Sequence, residues 1–167
     1  MKEVSIQESF AKFKPESCVF VISVNKERKP NGMIAGWNMR CSSNPPLFAV
    51  SLKKEGNTHK LIRESKEFVI AVPNKELEKD VLLFGSKSGK DIDKFKETGI
   101  ETEKAQSINS PLIKKATINY ECKLEKEVDS GDHIIFIGRI IHAYINKDKK
   151  ILFNMRKEKT NRIFEEI

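Results

Sequence analysis

The chain has 167 residues, 38% hydrophobic and 33% charged, with a formal net charge of +7. That length describes a single domain over residues 1–167, able to bury a core without disulfides or structural metal, and the recurring apolar runs exclude a disordered chain. No apolar run approaches the ~20 residues of a membrane helix, and the lysines alternate with acids, as from Lys75 to Asp80, instead of forming a basic stripe for nucleic acid.

Ser5 to Phe13 reads as a short helix or lead-in arm that Pro15 ends. Cys18 to Val24 is apolar and β-branched, the pattern of a buried strand. Asn25 to Gly32 is a turn into a second strand, Met33 to Met39, and the two form a hairpin. Pro45 and Pro46 set the start of a third strand, Leu47 to Leu52, because proline fixes φ and donates nothing to a ladder. Between these strands Gly36 admits close approach to the backbone, and Trp37 is the only tryptophan. Asn38, Cys41, Ser42 and Ser43 then place small polar groups ahead of the prolines. A flat apolar ring, small donors and exposed backbone suit a planar heteroaromatic ligand with polar edges. The same residues also suit a strand and polar loop that cap a barrel.

Gly56-Asn57-Thr58 stops strand character, and Thr58 is the expected N-cap of a helix from His59 to about Glu64, without a capping box. The first-turn N–H groups of such a helix suit an anion. Phe68 to Val72 is a strand ended by Pro73. Leu77, Val81 and Phe84 recur at helical spacing. Ser86 to Lys90 has the small residues and two lysines of an anion-binding loop, but lacks the P-loop pattern. Asp91 is the expected cap of a short helix, Ile92 to Glu97, that buries Ile92 and Phe95; Gly99 ends it.

Residues 101 to 113 are irregular. Ala116 to Leu124 alternates as a half-buried antiparallel strand, with Glu121 and Glu125 toward solvent. Val128 to Asp132 is a turn into a long strand, His133 to Tyr144, where Gly138 suits a bulge. Ile151 to Phe153 is a short strand, and Arg156 to Ile167 a charged tail with helical potential. This order of elements describes a small β-barrel decorated by helices. Cys18, Cys41 and Cys122 are too widely separated for a disulfide framework or a zinc site. Cys18 and Cys122 sit in strand-like runs as core residues. His59 and His142 have the pattern of ordinary structural or surface histidines. No secretory signal follows the N-terminal lysine, so a cytoplasmic protein is expected.

Four stretches, in order, resemble the flavin reductase-like family of FMN-binding split barrels. They are Met33 to Leu52 with its polar loop, Pro-Pro and Ser-Leu end; Asn57-Thr58-His59 with the Phe68-led strand; Phe84 to Phe95; and Gly131-Asp132-His133 followed by Phe136 to Arg139. The match spans roughly residues 10 to 155. It implies a mainly β fold with short helices, a split β-barrel of the FMN-binding type, and a homodimer.

The resemblance also assigns roles. Trp37, Asn38 and Met39 would lie along the flavin ring edge, with Cys41 and Ser42 following in the loop. Ser51 and Leu52 would lie where the ribityl chain passes. Asn57, Thr58, Ser86, Ser88, Gly89 and Lys90 would hold phosphate and ribityl groups. His133 would lie near the flavin and its donor as the catalytic candidate. No Gly-x-Gly-x-x-Gly loop follows a strand, yet NADH or NADPH is an expected donor, since split-barrel reductases stack the nicotinamide on the flavin. Two functions follow: an NAD(P)H-dependent flavin or metal-chelate reductase, or a flavoredoxin-like carrier with tightly held FMN and a protein redox partner.

Overall fold

The computed structural model describes residues 1–158 and 161–167. In chain order the elements are α1 (Ile6–Lys12), β1 (Glu16–Ser17), β2 (Val19–Val24), β3 (Pro30–Ala35), β4 (Asn38–Ser43), β5 (Pro46–Lys53), α2 (Asn57–Ser65), β6 (Glu67–Val72), α3 (Glu78–Ser86) and α4 (Lys94–Thr98). There follow β7 (Thr102–Glu103), β8 (Leu112–Ile113), β9 (Ile118–Ser130), β10 (His133–Ile145), β11 (Leu152–Glu158) and β12 (Asn161–Glu166). Seven strands form one sheet in the order β3-β2-β6-β9-β10-β5-β4, and a second sheet runs β1-β11-β12. The fold is mainly β with short helices, as the resemblance implies, and it is that of the FMN-binding split barrels. The large sheet is not closed by hydrogen bonds: β3 and β4 are its two edges.

The apolar runs are explained by burial on both faces. Every residue of β2 and of β6 is buried. Phe20 and Ile22 face one way, onto Phe84, Val81 and Leu152, while Val19 and Val21 face the other, onto Phe48, Phe68 and Phe136. A strand covered on both sides needs no polar alternation. Gly138 sits at a bulge between β9 and β10. A Cβ there would lie 2.4 Å from the Phe68 ring, so the close approach requires glycine.

Several expectations are corrected. The tail is strand, not helix: β11 and β12 pair antiparallel and bury Leu152 and Phe164 against the outer core. The expected strand Met33 to Met39 is broken at Gly36 and Trp37, and Pro30 to Gly32 belongs to β3 instead of the turn. Asp93, not Asp91, caps α4 by accepting from Lys96 N. In that helix Lys94 is the buried residue and Phe95 is half-buried, while Ile92, also half-buried, lies ahead of it.

Glu121 is fully buried. Its carboxylate accepts from Gln106 N at 2.7 Å, Ser107 N at 2.9 Å and the Tyr144 hydroxyl at 2.6 Å. Glu67 does the same for Asn109 N and Ser110 N. These two carboxylates take up backbone donors of an irregular segment that would otherwise be unpaired. Burial pushes the Glu121 carboxyl up, but these hydrogen bonds outweigh it and leave the net shift downward. Glu125 is exposed as expected and pairs with Arg139 at 2.7 Å.

Candidate functional site

Two cavities flank the path from β5 into α2. The first, of about 570 Å³, is largely apolar, and its walls include Phe10 and Phe13 of the N-terminal arm, Trp37, Met39, Val50 and Ile135. Trp37 sits in the turn between β3 and β4, and its carbonyl accepts from Ser51 N at 2.9 Å, which ties the turn to β5. Gly36 beside it is close to the Glu16 side chain: a Cβ there would lie 2.8 Å from that carboxylate. So the backbone approach expected at Gly36 is made by the protein's own side chain. Trp37 is 52% exposed, its ring flanked by Phe10 at 6.3 Å and by the His133 ring at 4.7 Å between centroids.

Asn38 also lines this cavity, but its amide is engaged within the chain. Nδ2 donates to Ala35 O and Gly36 O, both at 3.0 Å, and Oδ1 accepts from Ser17 Oγ at 3.1 Å. The side chain therefore holds the turn against β1, leaving backbone groups and the Trp37 ring to face a ligand. His133 has a side chain only 12% exposed, and its Nδ1 lies 2.6 Å from the Asp132 carboxylate. That hydrogen bond holds the Asp132 carboxyl below the usual range.

The second cavity, of about 470 Å³, is polar, with Asn31, Asn57, Gly89, Lys90, Asp93 and Lys94 among its walls. The Lys90 ammonium donates to Glu55 O at 3.3 Å. Lys29 pairs with Asp93 at 2.9 Å on the same wall. The helix α2 begins here with Gly56 as its N-cap; Thr58 is not the cap but lies buried inside the first turn. His59, also buried, has an Nδ1 without a hydrogen-bond partner. Burial lowers the His59 pKa, the nearby Gly56 backbone opposes it, and the cations Arg63, Lys60 and Lys90 add to the lowering.

Trp37, Asn38, Met39 and Ser51 thus come together on the first cavity, and Asn57, Gly89 and Lys90 on the second. Leu52 and Thr58 are buried, Cys41, Ser86 and Ser88 are exposed, and Ser42 is half-buried; none of these six lines either cavity. The Ser88 hydroxyl accepts from Lys90 N, so it shapes the loop. Lys94, Asn31, Phe10 and Phe13 were missed by sequence reasoning. Only the helical spacing of the two phenylalanines in the N-terminal arm hinted at a role. The residues fit a group with a flat apolar body and an anionic tail: an aromatic-walled cavity, then a polar one with Asn57 and lysines next to a helix start.

Comparisons with known proteins show the family and the fold. The high molecular weight rubredoxin of Moorella thermoacetica is 34% identical over 129 residues, 76% of this chain and 55% of that protein. The ferric-chelate reductase (NAD(P)H) of Archaeoglobus fulgidus is 29% identical over 135 residues, 80% of this chain and 79% of that one. In fold, the FMN-binding protein of Thermus thermophilus superposes with a TM-score of 0.85 at 24% identity, covering 99% of this chain and 95% of that one. The model of the flavin reductase like domain matches residues 15–161, and the chain belongs to that family.

Proposed function

We propose that the protein binds FMN and works as an NAD(P)H-dependent flavin or metal-chelate reductase in the cytoplasm. The observation that carries this is the succession of an aromatic-walled cavity and a cation-bearing polar one along a single stretch of chain. Ser51 lines the first and Asn57 the second, so those two walls are at most about 20 Å apart. A bound flavin supplies the redox chemistry; the protein's part is to bind, orient and exclude water. Trp37, Met39 and Ser51 would border the ring. Asn57, Gly89 and Lys90 would hold the phosphate, helped by the start of α2. His133, packed on Trp37, would orient the nicotinamide donor from behind that ring. The likeness to a relative named ferric-chelate reductase (NAD(P)H) supports a small-molecule acceptor.

The likeness to a high molecular weight rubredoxin favours a second reading, an electron carrier with fixed FMN and protein donor and acceptor. The assembly in either case is a homodimer. It is supported by α1, which buries none of its residues, and by the exposed Phe10, Phe13, Trp37 and Met39. Light scattering at about 19 kDa across a wide concentration range would refute the dimer.

Chromophore released by heat and compared with standards tests the cofactor: mostly FMN is expected, and mostly FAD, or no flavin after incubation with excess FMN, overturns it. Anaerobic mixing with NADH or NADPH then separates the two functions. Bleaching of the bound flavin supports the reductase, and reduction by a protein donor alone supports the carrier.

A further inference from the structure

Among the described residues on the walls of the apolar cavity, only Glu16 carries a charge. It belongs to β1, the short strand that pairs with β11, where it lies opposite Asn154. Its side chain is 23% exposed. A carboxylate set among apolar walls keeps its charge only with hydrogen bonds or a counter-ion to hold it.

Its partners all lie on one side. The Lys14 ammonium donates to Oε2, and so does Asn154 Nδ2, at 3.2 Å. Oε1 accepts from neither. Asn154 is 8% exposed, and its own Oδ1 is buried without a hydrogen-bond partner. The amide thus holds the carboxylate at the expense of its own acceptor. On the other side stands Gly36, the neighbour of Trp37 in the chain and itself part of the cavity wall. A Cβ on Gly36 would lie 2.8 Å from Oε1 and 3.1 Å from Oε2, so only glycine leaves the carboxylate its place. Two cations stand in this neighbourhood, Lys14 and Arg162 of β12, since both act with Glu16 on the adjacent Cys18 thiol. Neither lines the cavity. A ligand there meets the carboxylate and not its counter-ions.

We propose that Glu16 is the charge filter of the apolar cavity, a specificity-determining residue that favours a neutral planar ring over an anionic one. The proposal rests on the flavin reading for its role in the protein. A flavin ring is neutral when oxidised. With two electrons and one proton it becomes an anion, and only a second proton makes it neutral again. A fixed negative charge in a poorly solvated wall repels that anion more than water does. Glu16 therefore holds oxidised flavin more tightly than reduced flavin, which makes the bound group the stronger reductant.

The test compares wild type with Glu16→Gln, which keeps the shape and removes the charge, and with Lys14→Met, which removes the counter-ion. Midpoint potentials of bound and free FMN, taken at about pH 8, give the ratio of reduced to oxidised affinity. In Glu16→Gln that ratio should rise about fivefold, the scale of one partly solvated charge beside the ring. In Lys14→Met it should fall, because the carboxylate loses the cation that offsets it. A rise in Glu16→Gln that Lys14→Met does not share supports the filter. No rise, or an equal rise in both, overturns it, since a merely structural role would move the two alike. Should wild type bind no flavin, the flavin reading fails, and Glu16 is judged by calorimetry with naphthalene-2-carboxamide and naphthalene-2-carboxylate, alike in shape and different in charge. Glu16→Gln should then narrow the preference for the amide about fivefold. An unchanged preference, or no binding of either compound, overturns the filter. If circular dichroism shows that Glu16→Gln does not fold, the same pair decides on wild type. Preference for the amide supports Glu16, and no preference or the reverse overturns it.

Discussion

The two cavities are built by opposite means. The apolar one is made of surfaces: residues along β4, β5 and β10, with Phe10 and Phe13 from a helix that buries nothing of its own and from its C-cap. The polar one is made of ends: the start of α2, the loop before α4 and the lead into β3. Surfaces offer area and little orientation, whereas element ends offer unpaired donors and fixed charge. A ligand that uses both would take its affinity from the first and its orientation and selectivity from the second. The difference between FMN and riboflavin separates those contributions.

The largest effect is expected in the apolar cavity. Trp37→Ala removes the exposed ring and should cost about 2–3 kcal/mol of flavin affinity, from the buried aromatic area it supplies. The loss should be equal for FMN and riboflavin in parallel titrations. A loss confined to FMN would break the division of labour.

Asn57→Ala should cost FMN about 1–2 kcal/mol and riboflavin little, if its amide on the wall of the polar cavity meets the phosphate. Equal losses for both flavins would take Asn57 out of the phosphate site.

The polar cavity also predicts a pH signature in the flavin-free protein. Burial lowers the Lys94 pKa from 10.5 to about 8. Below pH 8 both folded and unfolded forms hold the proton, and the folded form carries the cost of the buried charge. As pH rises through 8 the folded form releases the proton first, so stability rises. From pH 8 to 9 the gain should be about 1 kcal/mol in denaturant melts of wild type, and absent in Lys94→Met. Above pH 9 the thiols of Cys18 and Cys122, both pushed up by burial, act in the opposite sense. The difference between the two proteins is therefore the quantity to read.

His133→Ala should have the smallest effect on binding. Its ring packs on Trp37 and is not among the walls of the apolar cavity, so FMN affinity should stay within about twofold, under about 0.5 kcal/mol. Reduction of the flavin by NAD(P)H should slow in stopped-flow traces while reduction by dithionite is unchanged. If FMN affinity collapses, His133 supports the pocket instead of the donor.

The barrel strands were legible because their residues are buried on two faces, as in Cys18 to Val24 and Phe68 to Val72, where no polar partner dilutes the signal. The tail was not legible. Phe153 and Phe164 are separated by a charged run with no apolar period, and only pairing of β11 with β12 and β1 gives them a place. Glu121 misled for a related reason: alternation reports which face a side chain occupies, not whether a distant loop will cover that face. Trp37 and Lys90 were recognisable as residues set apart from the core, and both line a cavity, since a lone aromatic and a lysine in a small-residue loop have few structural uses. Asn38 looked the same, but the turn consumes its amide. Lys94 looked like a surface lysine within Lys94-Phe-Lys, and only the approach of Gly32 and Phe84 backbone shows otherwise.

The central claim, a flavin whose ring occupies the cavity beside Trp37, has a built-in reporter, because Trp37 is the only tryptophan. Its emission overlaps flavin absorption, so a ring bound beside it must quench it. Titration with FMN should quench Trp37 emission to a plateau in step with the flavin retained on ultrafiltration, and riboflavin should reach the same plateau at higher concentration. Flavin retained with Trp37 emission unchanged would place the ring elsewhere and contradict the account.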